Sequence, residues 1–366
     1  MQGSIQKIAV IGLGKVGSLV ASLLHYDDVE VTGFDQIFNQ DFPFSTQQVD
    51  VTDATELEKV LIGYDAIVSC LPYFLNTAVV KVAIKNKTHY FDLTEDVPHT
   101  NFVKANSEGS GTALVPQCGL APGLIGIIGS SLMKEFEEVR SLELRVGALP
   151  RTPHGRLGYA VNWSAEGIIN EYLNDAEVIR DGKKKTVPSL SEIEKVIING
   201  IELEAFITSG GLGTMTETYE GVVETLDYKT LRYPGHCKLM DFLSNEMKLG
   251  RDRQKLADIL TEAKPQTTDD VVYIYSAVEG KKNGKYIRDT FVRAFHAREI
   301  NGSFWRAISW TTAASCCSVI ELVSTGKIPQ KGFVRQEDIL YGDLVETSFG
   351  KMFVDGIAVS HSSIDS

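Results

Sequence analysis

Residues 7–35 read KIAVIGLGKVGSLVASLLHYDDVEVTGFD, and this stretch decides the fold. Gly12, Gly14 and Gly17 stand in the spacing G-x-G-x-x-G, directly after the apolar run IAVI. The segment that follows them has apolar residues at helical spacing, so the stretch predicts a strand, a tight turn and a helix. A glycine-rich turn between a strand and a helix is typical of a dinucleotide-binding site.

The three glycines have separate physical roles at such a site. Gly12 permits the sharp turn, Gly14 lets the backbone approach a pyrophosphate, and Gly17 lets the helix lie close to the strand. The N-terminus of the helix offers free N–H groups and the positive end of its dipole to the phosphates. The candidate cofactor-binding residues of the turn are Gly12, Leu13, Gly14, Lys15, Val16 and Gly17. The alternative is that the glycines only shape a tight strand-to-helix turn.

Asp35 bears on the identity of the dinucleotide. A second predicted strand, 29–34, ends in this residue, eighteen positions after Gly17. A carboxylate at this place can accept hydrogen bonds from the ribose hydroxyls, and it repels a 2′-phosphate. We therefore expect NAD as the cofactor rather than NADP.

Composition argues against several classes of partner. The 366 residues carry a net charge of −12, which disfavours nucleic acid and anionic membranes and leaves a small-molecule substrate. No apolar run approaches the length that crosses a bilayer, and no signal peptide precedes the first strand, so we expect a cytoplasmic protein. The cysteines lack metal-ligand spacing, so we expect reduced thiols and no metal site. They are Cys70, Cys118, Cys237, Cys316 and Cys317.

The first 123 residues continue as alternating strands and helices. Predicted strands at 65–70, 89–92 and 112–115 are separated by predicted helices, which indicates a parallel sheet of about six strands. Ligands bind at the carboxyl edge of such sheets, so the loops at this edge supply further candidate cofactor contacts. These are Asp50, Val51, Cys70, Leu71 and Pro72. The expected fold class is α/β, with a Rossmann doubly wound parallel sheet over residues 1–123.

From residue 124 the pattern changes. An apolar helix is followed by longer strands joined at hairpin signals such as Asn199-Gly200, and one strand is predicted over 157–163. This indicates an inserted α+β domain on an antiparallel sheet, 124–302, for substrate binding and dimerisation. Residues 303–366 are predicted to form an apolar, buried helix and a tail that return to the Rossmann domain. Because edge strands need covering, we expect a homodimer or a higher homo-oligomer.

Ten short segments, spread over nearly the whole chain, follow one another in a recognisable order. They are IGLGKVG (11–17), VDVTD (49–53), SCLPYFLN (69–76), YFDLTED (90–96), QCGLAPGL (117–124), RVGALP (145–150), LGYAVNWSAEGIINEY (157–172), VPSLSEIE (187–194), LEAFITSGG (203–211) and LDYKTLRYPGH (226–236). This order resembles the saccharopine dehydrogenase superfamily, and within it the NAD-dependent lysine 6-dehydrogenases. The resemblance implies oxidation of the ε-carbon of L-lysine, release of ammonia, and cyclisation of the semialdehyde to piperideine carboxylate.

One stretch bears on the size of the substrate. Saccharopine-cleaving members of the superfamily usually carry an Asn-Arg-containing stretch where this chain reads FITSGG, 206–211. Without that arginine, one extra carboxylate of saccharopine lacks a partner, so a smaller substrate is favoured. Two alternatives stay open. One is a saccharopine or carboxynorspermidine-type dehydrogenase, whose carboxylates Arg145, Arg151 and Arg156 could bind, and the other is a non-catalytic NAD-binding protein.

Lysine has a carboxylate at one end and an ammonium at the other, so its pocket needs opposite charges. Arg232 is the candidate for the α-carboxylate, because a guanidinium binds it bidentately and the matching family position is thought to contact a substrate carboxylate. A pair with a surface acid is the alternative.

Hydride leaves only from a neutral amine, so a base must take a proton. Asp92 is the first candidate base and Glu95 the second, although Asp92 could instead cap the following turn. His154 and His236 are minor candidates.

The remaining candidate residues are three aromatic side chains and one acid. Tyr73 follows a strand-ending proline and is predicted to pack on the nicotinamide or bond the substrate, as its family position suggests. Tyr159 and Trp163 alternate on one predicted strand face and could hold the aliphatic stem of lysine. Core packing is the alternative for all three. Glu166 lies in the first turn of a predicted helix, where a capping role competes with substrate binding.

Overall fold

The computed structural model describes residues 3–38, 41–264, 266–358 and 361–364. The chain forms two compact units. The first comprises the residues up to Leu124 together with Ser309–Asp355, and the second comprises Ile125–Ile308 together with the residues from Gly356 onward. The last segment of the sequence thus belongs to the second unit, whereas the sequence led us to expect all of 303–366 in the first.

The first unit begins with parallel strands that alternate with helices, which confirms the predicted Rossmann sheet. The strands are β1 (Lys7–Ile11), β2 (Glu30–Asp35), β3 (Ser45–Gln48), β4 (Ala66–Ser69), β5 (His89–Asp92) and β6 (Ala113–Val115), and the helices are α1 (Gly17–Tyr26), α2 (Ala54–Val60), α3 (Asn76–Asn86) and α4 (Val97–Ala105). These strands lie in the order β6-β5-β4-β1-β2-β3. The central strands β1 and β4 are buried along almost their whole length. Buried apolar side chains of the sheet and its helices form the core of this unit.

The edge strand β3 is an element that the sequence did not indicate. It reads STQQ, and all four of its residues are exposed. The strand therefore lacks the apolar alternation on which strand prediction depends. It pairs with β2 in parallel, and this pairing depends on the main chain rather than on apolar side chains. Polar residues at the edge of a sheet also disfavour pairing with another chain.

The second unit contains a larger sheet with helices packed on it. The strands are β7 (Glu138–Pro150), β8 (Ala176–Arg180), β9 (Lys183–Val187), β10 (Glu194–Ile198), β11 (Ile201–Ile207), β12 (Thr225–Arg232), β13 (Asp270–Lys282), β14 (Lys285–His296), β15 (Arg298–Ile300) and β16 (Ser303–Trp305), and the helices are α5 (Leu124–Met133), α6 (Ala165–Leu173), α7 (Met215–Tyr219), α8 (His236–Asp241) and α9 (Arg253–Ala263). The main sheet contains the order β14-β13-β7-β12-β11-β10. Because β7 and β12 are parallel, the sheet is mixed rather than purely antiparallel.

The hairpin signals are confirmed at three turns. Asp181, Asn199 and Asn283 have φ values of 55°, 52° and 52°, and the glycine after each also has a positive φ. Two successive residues with positive φ form the turn whose twist matches that of the flanking strands. These turns join β8 to β9, β10 to β11, and β13 to β14.

The strand predicted over 157–163 is wrong, because these residues form no regular element. Gly158 adopts a φ of +54°, and the N–H of Val161 donates to the carbonyl of Lys264 rather than to a strand. The alternation of apolar residues that suggested a strand has another cause. Tyr159 and Val161 are both buried in the core of the second unit.

The C-terminal segment contributes to both sheets. It contains α10 (Ala307–Ser324), β17 (Gly332–Phe333), α11 (Tyr341–Glu346), β18 (Ile357–Ala358) and β19 (His361–Ile364). Strand β17 pairs in parallel with β6, so the sheet of the first unit has seven strands rather than about six. Strands β18 and β19 pair with β14 and β10 in the second unit.

Helix α10 corrects one expectation from the sequence. By length and composition it could cross a membrane, although we had expected no such run, and 94% of the helix is buried inside the protein. A helix that is apolar on many sides is stable when neighbours surround it. Burial of this segment agrees with the prediction for the helix itself.

We expect Gly17→Ala to destabilise the first unit and Gly14→Ala to leave its stability nearly unchanged. A Cβ on Gly17 would lie 1.8 Å from the carbonyl oxygen of Gly12, whereas a Cβ on Gly14 would meet nothing within 4 Å. Because the first overlap is with backbone, the free energy of unfolding should fall by about 2 kcal/mol or more. Denaturant titration of both variants beside the parent measures this. Equal midpoints for all three proteins would contradict the close approach at Gly17.

Candidate functional site

The glycine-rich turn leaves open space at the N-terminus of α1. Gly12 has a φ of +89°, and Gly17 approaches it too closely for a side chain to fit between them. Gly14 is exposed, with no atom within 4 Å of the place where a Cβ would stand. Val16, the N-cap of α1, gives no side-chain hydrogen bond to the first turn of the helix. This arrangement fits the pyrophosphate of a dinucleotide, which binds to N–H groups at such a helix end.

Asp35 lies against the glycine-rich turn. One carboxylate oxygen accepts the N–H of Leu13 at 2.7 Å, and the other accepts the N–H of Gln36 at 2.7 Å. The side chain of Gln36 donates to Asp50 at 3.0 Å. Hydrogen bonds from Thr52, followed by the weaker effect of Gln36, lower the pKa of Asp50. Two carboxylates therefore lie at the ends of the strands where the adenosine ribose was expected to bind.

The turn after β4 carries four of the predicted residues. The N–H of Cys70 donates to the carbonyl of Ile11 at 2.8 Å, which ties this turn to the end of β1. Burial raises the pKa of the Cys70 thiol to about 12, so the thiol is not a ready nucleophile. Leu71 and Pro72 follow, and the half-buried ring of Tyr73 packs edge-on against Phe74. Val51, another predicted cofactor contact, lies in the loop after β3 and is buried.

Asp92 lies at the end of β5 as predicted, and its surroundings favour the capping alternative over the role of base. Its side chain is fully buried. One carboxylate oxygen accepts the N–H groups of Thr94 and Gln117, each at 3.0 Å, and the other lies 2.8 Å from Nε2 of His99. The capping alternative therefore describes these contacts, because the oxygens are occupied by donors within the protein. Glu95, the second candidate base, is half-buried in the following loop.

Arg232 ends β12 in the second unit and is 3% exposed. Its Nε donates to the hydroxyl of Tyr172 at 2.9 Å, and its Nη1 donates to the carbonyl of Leu231 at 2.8 Å. The ring of Tyr159 lies 4.8 Å from the guanidinium carbon, a cation–π contact. Among the described residues, no carboxylate oxygen lies within 4.0 Å of this guanidinium. The surface ion pair that was the alternative interpretation is therefore wrong.

A short series of hydrogen bonds orients Arg232. The Tyr172 hydroxyl lies 3.0 Å from Nε2 of His236, and Nδ1 of the same ring lies 2.9 Å from the carbonyl oxygen of Leu157. Burial and the nearby charge of Arg232 lower the pKa of His236 to about 3, so this ring is neutral at physiological pH. Its Nδ1–H donates to Leu157, Tyr172 donates to its Nε2, and the Tyr172 oxygen remains free to accept from Arg232. His236 is thus committed to holding Tyr172, a residue that the sequence analysis missed.

Tyr159 and Trp163 contact each other although the predicted strand is absent. The indole Nε1 of Trp163 donates to the hydroxyl of Tyr159 at 3.3 Å. Glu166 is exposed and accepts a hydrogen bond from Ser164, whose hydroxyl in turn accepts the N–H of Gly167, each at 3.0 Å. These bonds form the N-terminal cap of α6, so the capping interpretation describes Glu166.

Two buried acids near Arg232 also escaped the sequence analysis. Glu204 accepts the N–H groups of Gly235 at 2.8 Å and Cys237 at 2.6 Å, which fixes the corner between Arg232 and α8. Glu171 is 6% exposed and precedes Tyr172 on α6. Burial by itself lowers the pKa of Arg232, but Tyr172, Tyr159 and Glu171 raise it above its usual value. Both acids lie within segments that carry the family resemblance, 157–172 and 203–211, but nothing in the sequence indicates that they lie near Arg232.

The arginines that could serve extra substrate carboxylates differ in availability. Arg145 is 2% exposed and paired with Glu194 and Asp227, each at 2.6 Å. Arg151 forms a surface pair with Asp269, and Arg156 is exposed. The buried arginine of this group is therefore already neutralised within the protein.

The comparisons with known proteins cover both units. Residues 8–115 match the family described as Saccharopine dehydrogenase NADP binding domain, and residues 119–357 match the Saccharopine dehydrogenase C-terminal domain. Saccharopine dehydrogenase [NADP(+), L-glutamate-forming] of Saccharomyces cerevisiae is 30% identical over 147 residues, which cover 38% of this chain and 33% of that protein. Mitochondrial alpha-aminoadipic semialdehyde synthase of Mus musculus is 25% identical over 284 residues, which cover 72% of this chain and 30% of that protein.

The chain therefore spans about a third of the length of these curated relatives. A solved structure of apo saccharopine dehydrogenase (L-Glu forming) from Saccharomyces cerevisiae has the same fold, with a TM-score of 0.76 at 17% identity. The likeness covers 98% of this chain and 100% of that chain. Together the two matched domains account for most of the sequence, and the resemblance seen in the ten segments is confirmed at the level of the superfamily. The chain belongs to the saccharopine dehydrogenase family.

Proposed function

We propose that this protein is an NAD-dependent oxidoreductase that oxidises the ε-carbon of L-lysine, at its bond to nitrogen, and releases ammonia. The observation that carries the proposal is Arg232, a buried cation held by a tyrosine hydroxyl and aromatic rings with no carboxylate partner among the described residues. A guanidinium removed from water in this way is stabilised by an anionic ligand, and it binds a carboxylate bidentately. An amino-acid substrate supplies that carboxylate.

The residues of the first unit fit the dinucleotide that such a reaction needs. NAD, when bound, supplies the acceptor for the hydride. The turn from Gly12 to Gly17 and the first N–H groups of α1 would hold the pyrophosphate, because the space over Gly14 is open. Asp35 would accept hydrogen bonds from the ribose hydroxyls.

Asp35 also supports NAD over NADP. The partners of its carboxylate are backbone N–H groups, so no cation among the described residues neutralises its charge. The negative charge would repel a 2′-phosphate at the same position. NADP appears in the description of the matched domain and in the name of the yeast relative, and this proposal departs from both at that residue.

The size of the substrate follows from the arginines. Saccharopine carries more carboxylates than lysine, and each needs a cation or several hydrogen bonds. Arg145, the buried arginine that could supply one, is already bound by Glu194 and Asp227. This supports lysine. The second candidate is a secondary amine such as saccharopine, and the names of the relatives favour it.

The chemistry also needs a base that takes a proton from the substrate ammonium. The two candidates are Asp92, which is fully buried, and Glu95, which is half-buried in the loop after β5, and we propose Glu95 because a substrate proton must reach the base. The neutral amine can then lose a hydride from its carbon. Water adds to the resulting imine, ammonia leaves, and the semialdehyde closes on its own α-amine.

We further propose a homodimer formed by the second unit in a reducing, cytoplasmic setting. Strand β18 pairs with β14 only at Arg293 and Ala294, so the outer edge of β14 over 285–292 has no strand partner among the described residues. Tyr286 and Ile287 on this edge are 58% and 37% exposed. An uncovered edge with apolar side chains favours pairing with another chain. All five cysteines are free thiols, which supports the reducing compartment.

The first prediction of the proposal concerns the cofactor. NADH should bind at least about tenfold more tightly than NADPH, a difference of about 1.4 kcal/mol, because Asp35 repels the 2′-phosphate. Asp35→Ser should bring the two dissociation constants close together. Titration of tryptophan fluorescence with each nucleotide measures both. Equal or tighter binding of NADPH by the parent protein would rule out the assignment of NAD.

The second prediction concerns the substrate. The parent should produce NADH from L-lysine with a far higher kcat/KM than from 1,5-diaminopentane, which lacks the carboxylate. Arg232→Met should lower kcat/KM for lysine about 100-fold or more and remove this preference, because the carboxylate loses its charged partner. Arg140→Met, an exposed arginine on the same sheet, serves as the control. An unchanged preference in Arg232→Met would refute the carboxylate site, and higher turnover of saccharopine than of lysine would favour the second candidate.

The third prediction concerns assembly. Sedimentation equilibrium should give a mass of twice 40.2 kDa, the mass of one protomer, or a higher multiple. Ile287→Lys should shift the protein toward monomer, because it adds a charge to the edge of β14. Ile62→Lys, at a side chain that is 69% exposed in the first unit, should not. A parent mass of one protomer at micromolar concentration is the result that would exclude the dimer.

A further inference from the structure

A buried polar cluster surrounds Asp92 in the first unit. His99, on α4, is 3% exposed, and its Nε2 lies 2.8 Å from one oxygen of Asp92. The Tyr90 hydroxyl lies 3.3 Å from the same nitrogen. The other ring nitrogen, Nδ1, lies 3.2 Å from the hydroxyl of Thr77 in the first turn of α3. The cluster thus extends from β5 to two helices.

The second oxygen of Asp92 joins two turns at the carboxyl edge of the sheet. It accepts the N–H of Thr94, which follows β5, and the N–H of Gln117, which follows β6. The backbone carbonyl of Asp92 accepts the N–H of Cys118 at 2.8 Å. Hydrogen bonds to a buried carboxylate are stronger than those between neutral groups. The two turns are therefore held to one side chain.

The position of one proton extends the connection to a third turn. An ionised carboxylate only accepts, so His99 carries a proton on Nε2 and donates to Asp92. Its Nδ1 is then free to accept from the Thr77 hydroxyl. Thr77 lies four residues after Tyr73, so His99 connects the turn after β4 to the turns after β5 and β6. Ligands of doubly wound sheets bind where such turns meet.

We propose that Asp92 and His99 form a positioning pair that fixes the three turns against which the nicotinamide half of the dinucleotide binds. The proposal rests on the proposed NAD site. Asp92 and His99 are 0% and 3% exposed, and their polar side-chain atoms contact other residues of the protein. Neither side chain therefore presents an atom to a substrate proton. The pair acts through Thr94, Gln117 and Thr77, and it is distinct from the turn that would bind the pyrophosphate.

Two ligands separate a positioning role from a general loss of structure. NADH contains the nicotinamide, whereas ADP-ribose keeps the pyrophosphate and adenosine and lacks it. Asp92→Ala and His99→Ala should each weaken NADH about tenfold or more through the lost hydrogen bonds. Both variants should bind ADP-ribose within about twofold of the parent, because the contacts at Gly14 and Asp35 do not involve the pair. Isothermal titration calorimetry on the 366-residue chain measures both constants.

Asp92→Asn separates positioning from proton transfer. The amide oxygen of the new side chain can still accept from Thr94 and Gln117. Its N–H can donate to Nε2 of His99 if the ring proton is on Nδ1, where it donates to the Thr77 hydroxyl. The Asp92→Asn variant should therefore retain NADH affinity within about threefold, together with most of the turnover. A general base would instead lose about 10²–10⁴-fold in turnover when replaced by asparagine.

A matched control comes from the opposite edge of the same sheet. Asp65 also accepts two backbone N–H groups, those of Gln6 and Lys7, each at 2.9 Å, although it is exposed. Asp65→Ala therefore removes a structural carboxylate away from the proposed nicotinamide site. Asp65→Ala should not change the affinity for NADH more than the affinity for ADP-ribose. Equal weakening of NADH and ADP-ribose in Asp92→Ala, no weakening of either, or loss of turnover alone in Asp92→Asn would each overturn the positioning role. If the parent binds neither ligand, the proposed NAD site itself is wrong.

Discussion

A charged group that leaves water must be compensated inside the protein, and this requirement decides what each buried ionic side chain can do. Arg145 is compensated by two carboxylates and is thereby structural. Asp92 is compensated by backbone N–H groups and by His99. Arg232 is compensated only in part, by a tyrosine hydroxyl and aromatic faces. Because the charge of Arg232 is compensated only in part, it is the charge among these three that can bind a ligand.

The same requirement explains why the surroundings of Arg232 are so polar for a buried region. His236 is neutral and directs the Tyr172 hydroxyl, and Glu204 fixes the backbone that follows the arginine. None of these groups neutralises the guanidinium through an ion pair. They restrict its orientation instead, and a preorganised guanidinium loses little entropy when it binds a planar carboxylate.

The sequence was most informative where local chemistry alone determines the backbone. Gly12 and the Asn-Gly or Asp-Gly pairs predict the first turn and the hairpins, because only a few residue types tolerate positive φ. Gly17 is predictable for another reason, since its close approach to Gly12 leaves no room for a side chain. Prediction failed where tertiary contacts decide. Strand β3 has no apolar residue to indicate it, and the alternation over 157–163 reflects burial of an irregular segment.

The candidate site shows the same division between local and tertiary information. The position of Asp92 at the end of β5 was predictable, since strand ends follow from pattern. Its occupied oxygens were not, because Gln117 and His99 are distant in sequence from the turn that it caps. Tyr172 and Glu204 were missed for the same reason: their contacts with the corner around Arg232 exist only after the second unit has folded.

The seventh strand of the first sheet has a consequence for how the protein is made. Strand β6 lies in the first third of the sequence, but its neighbour β17 lies more than two hundred residues later. On the ribosome, synthesis proceeds from the N-terminus, so the nascent first unit must wait for the second unit to be translated before its sheet is complete. During that interval one edge of β6 is uncovered. An uncovered strand edge can pair with another chain, and chaperones prevent such aggregation of nascent proteins.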